Sequence, residues 1–60
     1  MASELRFWEV KKMLEAKGYQ LARIRGSHRV FEKAGFRPVV IPVHHGKVKH
    51  AYVRKIESLE

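Results

Sequence analysis

The stretch YQLARIRGSHRVFEK, Tyr19–Lys33, decides the fold. Strict alternation through its first half puts Tyr19, Leu21, Arg23 and Arg25 on one face of a strand and Ala22 and Ile24 on the other. Gly26 and Ser27 then break the pattern as turn residues do. Alternation resumes in HRVFEK, with His28, Val30 and Glu32 on one side and Arg29 and Phe31 on the other. A hairpin turning at Gly26–Ser27 is therefore predicted.

Outward from that hairpin, AGFRP reads as a connection, with Gly35 in a left-handed position and Pro38 opening the next strand. VVIPVH, Val39–His44, is β-branched and apolar, but Pro42 removes one ladder donor. Such a strand lies at an edge or carries a bulge, and the third strand of a meander would lie at an edge. HGKVKH reads as a basic loop. Helices bracket the strands. ELRFWEVKKMLEAKGY sets Phe7, Val10, Met13, Leu14 and Lys17 on one stripe at helical spacing. Ser3 is its expected N-cap with Glu4 beside the positive end, and Gly18 its left-handed C-cap, letting Tyr19 fold back onto Leu14. Trp8 lies off the centre of the stripe and reads as a flank of the core, with a base-stacking or partner-binding aromatic as the lesser reading. HAYVRKIESLE groups Tyr52, Val53, Ile56 and Leu59 on one face of a closing helix. The expected fold is α+β, ordered α-β-β-β-α, with two helices on one face of a three-stranded antiparallel sheet and the other face open.

Sixty residues make one domain, 1–60, without repeats or linkers. A chain of this size buries only about 60% of the surface its unfolded form exposes. It contains no cysteine, which fits a reducing compartment, and a cytoplasmic location is expected. Glu4, Arg6 and Glu9 interrupt the first apolar stretch, which excludes a signal-peptide core, and no run reaches transmembrane length.

Charge is the strongest compositional signal: 13 Lys and Arg oppose 6 Asp and Glu, a formal net charge of +7. Lys17 to Ile56 holds ten of the bases, all four histidines and one acid, Glu32. Such a surface attracts a phosphate backbone in a salt-dependent way. An acidic protein partner, or plain solubility, would suit the same composition.

His28 is the sharpest chemical candidate. Imidazole takes and gives protons near physiological pH. RNA carries its own nucleophile, the 2′-hydroxyl, so a ribonuclease needs little more than a base, cations for the developing phosphorane charge and a held geometry. Arg23, Arg25 and Arg29, with the backbone of Gly26 and Ser27, are placed to meet phosphate. Set against this, a lone strand histidine is more often structural or simply exposed. A Ser27–His28 dyad is disfavoured, because neighbours on a strand point to opposite faces. His44, His45, Lys47 and Lys49 read as phosphate contacts or as a solvated basic loop. The histidine spacing fits no zinc signature, and no metal or other cofactor is expected.

These motifs in this order resemble the HicA-type toxins, the mRNA interferases of HicA–HicB toxin–antitoxin systems. The likeness spans roughly Glu9 to Leu59. It rests on EVKKMLEAKGY, on a strand running into Arg25-Gly26-Ser27-His28, on IPVHHGKV, and on Val53 and Ile56 in the last helix. Where many members open that helix with Gly-Thr, this chain has Ala51 and Tyr52. The resemblance implies a double-stranded-RNA-binding-domain-like fold, endoribonuclease action on mRNA that arrests translation, and neutralisation by a HicB-like antitoxin. It also maps the family's catalytic histidine onto His28. A non-catalytic RNA-binding module of the same fold is the alternative.

Overall fold

A computed structural model describes residues 4–59. The predicted α-β-β-β-α order is present, with a short strand added before each helix. Strand β1 is Glu4–Arg6 and helix α1 is Phe7–Ala16. Strands β2, Gln20–Arg25, β3, His28–Glu32, and β4, Val39–Pro42, form an antiparallel sheet in the order β2-β3-β4. Strand β5, Lys47–Lys49, pairs with β1, and helix α2, His50–Glu57, follows at once.

Helix α1 forms because its apolar positions recur at helical spacing: Val10 and Leu14 are fully buried, with Phe7 and Met13 packed beside them. Its end is a Schellman motif. The Tyr19 amide donates to the Leu14 carbonyl at 2.9 Å and the Gly18 amide to that of Glu15 at 3.0 Å. Gly18 takes φ +93°, where a side chain would be strained, and a Cβ there would also press on the Lys33 stem at 3.2 Å. Tyr19 and Leu14 both lie in the core, as the sequence leads one to expect.

The helix starts later than its periodicity suggests. Arg6 is the N-cap and makes no side-chain capping bond. Glu4 lies in β1 rather than beside the helix end, and the expected cap Ser3 falls outside the described residues. Pairing explains the change: Leu5 sits opposite fully buried Val48, and the Phe7 amide donates to the Gly46 carbonyl at 2.9 Å. The predicted loop HGKVKH is correspondingly a turn, a strand and the first residue of a helix. His44 and Lys47 exchange backbone bonds of 3.0 and 2.9 Å around His45 and Gly46. Both central residues have positive φ, +53° and +75°, the signature of a type I′ hairpin turn.

A second correction concerns β2. The register steps from Leu21 opposite Phe31 to Arg23 opposite Val30, leaving Ala22 as a bulge. The extra residue flips the alternation, so Leu21 faces the helices with Ile24, while Arg23 and Arg25 point outward. A third concerns Trp8, which is 58% exposed rather than a flank of the core. Helical spacing puts it beside Lys12, whose Nζ lies 5.7 Å from the ring centroid, on the side away from Val10 and Leu14.

The core lies between the helices and one sheet face. Phe31, Ile41, Val48 and Ile56 are fully buried there with Val10 and Leu14. Phe7 tilts onto Phe31 at 6.1 Å between ring centroids. Pro42 lies in the edge strand, as predicted. The Val43 amide donates to the Ser27 carbonyl at 2.7 Å, so alternation turns the Pro42 nitrogen away from β3, where no donor is needed. The helices are joined by Lys17, whose Nζ donates to the Leu59 carbonyl at 2.6 Å and to that of Glu57 at 3.3 Å, at the negative end of α2.

Candidate nucleic-acid interface

The sheet face turned away from the helices is built from Arg23 and Arg25 on β2, His28, Val30 and Glu32 on β3, and Val40 and Pro42 on β4. Two-residue closure at Gly26–Ser27 puts Arg25 directly opposite His28. Gly26 takes φ +56° in the first central position, where such hairpins take glycine. On its other side His28 faces Pro42. The imidazole is thus exposed, next to a guanidinium and an imino-acid ring. Among the described residues Arg25 makes no ion pair, whereas Arg23 binds Glu32, Nη1 to Oε2, at 3.3 Å.

Arg29, grouped with these residues in the sequence, is not brought to them. Its side chain lies on the helix face, with Cζ 5.4 Å from the Phe7 ring centroid and Nη1 donating to the Gly26 carbonyl at 3.0 Å. It braces the turn from behind. Ser27 is half-buried, and its carbonyl takes the Val43 amide. Among the described residues no hydrogen bond joins Ser27 to His28, as strand geometry requires.

That Ser27–Val43 bond brings the β4–β5 turn to the same end of the molecule. His44 and His45 therefore extend the basic surface beyond the hairpin tip, both exposed. Lys47 and Lys49 do not: they stand on the β1–β5 ribbon, opposite Arg6 and Glu4. Among the described residues no three His, Cys, Asp or Glu side chains are grouped to hold a metal ion, and no helix is long and apolar enough to cross a membrane.

Sequence reasoning missed a groove at the opposite end of β4. It has a volume of about 400 Å³ and is walled by Tyr19, Phe36, Val40 and Leu59, with Arg37 and Lys55 on its rim. The available signal was Phe36 itself, an aromatic in a turn between Gly35 and Arg37.

The family model described as HicA toxin of bacterial toxin–antitoxin matches residues 8–60, nearly the whole chain. No curated protein and no solved structure matches it.

Proposed function

The chain belongs to the HicA toxin family, and on that premise we propose that it is an endoribonuclease that cuts mRNA and so arrests translation. A toxin of this kind has an antitoxin partner, which we take to be an acidic HicB-like protein acting in the cytoplasm. The observation that carries the nuclease reading is the exposed His28 opposite Arg25, on a sheet face that no helix covers.

In the proposed reaction His28 takes the proton of the 2′-hydroxyl next to the scissile phosphate. The 2′-oxygen bonds to phosphorus, the bond from phosphorus to the 5′-oxygen breaks, and the leaving oxygen is protonated by water or by the imidazolium. The products are a 2′,3′-cyclic phosphate and a free 5′-hydroxyl. Arg25 neutralises charge that builds on the non-bridging oxygens. Gly26 lets the backbone at the hairpin tip come close to phosphate. No step requires a metal or an organic cofactor. The test is a pair of oligonucleotides of one sequence, RNA and DNA, incubated with the protein in a chelator. Cyclic-phosphate ends on the RNA fragments and an intact DNA strand are expected. Cleavage of the DNA defeats the mechanism. Binding of the RNA without any cleavage leaves a non-catalytic RNA-binding module.

The two arginines flanking the tip separate binding from folding. Arg25→Ala is expected to weaken RNA binding and to flatten the plot of log affinity against log salt by about 0.7, one phosphate contact on a single strand. Arg29→Ala is expected to leave that slope unchanged and to lower the melting temperature, since its guanidinium holds the turn and covers Phe7. Fluorescence anisotropy at several salt concentrations, with a thermal melt of each variant, checks both.

A further inference from the structure

We infer that the groove beside Phe36 is a base-binding subsite for the single-stranded RNA cut at His28. The inference rests on the nuclease reading for its substrate class but concerns binding alone.

Phe36 is 46% exposed, yet its ring is fixed from two directions. Tyr19 meets it edge-on at 6.4 Å between centroids, and the Lys33 Nζ lies 4.1 Å from its centroid. An exposed ring that keeps its place stacks a base with little further loss of rotamer freedom. Arg37 and Lys55 stand on the rim and, among the described residues, no carboxylate lines the groove, so its charge suits a phosphate-bearing strand. Its volume of about 400 Å³ lies within the range of small-ligand sites.

Position links the groove to the candidate site. Strand β4 runs from Pro42, opposite His28, to Val39 and Val40 in the groove wall. At the rise of an extended strand that is roughly 10 Å. A strand of RNA held at His28 reaches the groove across Val40 on the uncovered sheet face. Among the described residues the one carboxylate on that face, Glu32, is already paired with Arg23 at 3.3 Å. Stacked bases flanking the cut would be read by size and π-surface rather than by base edges, so the subsite adds affinity with mild sequence preference.

The test uses the full chain and a fluorescein-labelled oligonucleotide of mixed sequence, 2′-O-methylated throughout so that it cannot be cut. Phe36→Leu fills similar space without a π-face and is expected to weaken binding about tenfold. Phe36→Trp is expected to retain it. Both variants should melt where the parent melts, because the ring is half exposed. A Phe36→Leu protein that binds the oligonucleotide as tightly as the parent overturns the inference. So does a loss confined to binding of the antitoxin, which would give the groove to a protein partner. The probe is never cleaved, so these outcomes are independent of whether His28 proves catalytic.

Discussion

A His28→Ala protein is expected to fold as the parent does and to cut RNA about 10²–10⁴-fold more slowly. The fold should survive because the imidazole is exposed and stands outside the hydrophobic core. Activity should not, because no second acid–base side chain faces the same phosphate from the sheet. The partners of His28 across the ladder are Arg25, whose guanidinium offers hydrogen-bond donors and no acceptor, and Pro42. His44 and His45 lie past Val43, beyond the hairpin tip rather than on the face. Initial rates on a labelled RNA, with circular dichroism to establish folding, check this. RNA affinity should change little, in contrast to Arg25→Ala, which acts on binding. A folded His28→Ala protein that cuts at the parental rate would remove the proton-transfer role.

Phe31→Ala is expected to leave the chain largely unfolded at 25 °C. Phe31 is fully buried on the central strand, where Phe7 packs on its ring and Leu21 and Val39 flank it in the ladder. Truncating such a ring costs about 3–5 kcal/mol. A single core in a domain this small rarely supplies more than roughly 3–5 kcal/mol in all. No disulfide adds to that sum, since the chain has no cysteine. Urea unfolding followed by tryptophan fluorescence gives the measurement. A cooperative transition with a midpoint near that of the parent would mean that the core repacks around the gap. Val40→Ala, on the exposed side of the same sheet, serves as the mild control.

Long periodic segments were legible from residues alone. The stripe of α1, its glycine stop, the edge position that Pro42 allows and the face of His28 all follow from spacing and backbone chemistry. Strands of three residues were not. Glu4–Arg6 and Lys47–Lys49 carry too few positions to show a period, and they exist because Leu5 and Val48 meet across a ladder that joins distant parts of the chain. The bulge at Ala22 was invisible for a related reason: alternation counts residues and does not see one that is unpaired. That single insertion decides which face Leu21 occupies relative to the β2 arginines, whereas the two-residue turn at Gly26–Ser27 sets Arg25 opposite His28. Arg29 was separable from the site by alternation, but its hold on the Gly26 carbonyl was not. Trp8 was misjudged because bulk and aromaticity favour burial, whereas its angle around the helix puts it in solvent.

The grip of Lys17 on the carbonyls of residues 57 and 59 bears on how the protein is made. The hairpin bearing His28 precedes in the chain the second helix, which supplies half of its supporting layer. Val53 and Ile56, which close the core over Phe31 and Ile41, come later, and the ammonium that receives the end of α2 waits some forty residues for it. Domains fold as units as they emerge. A chain that lacks α2 therefore carries the hairpin without the rigid backing that Val53 and Ile56 give it.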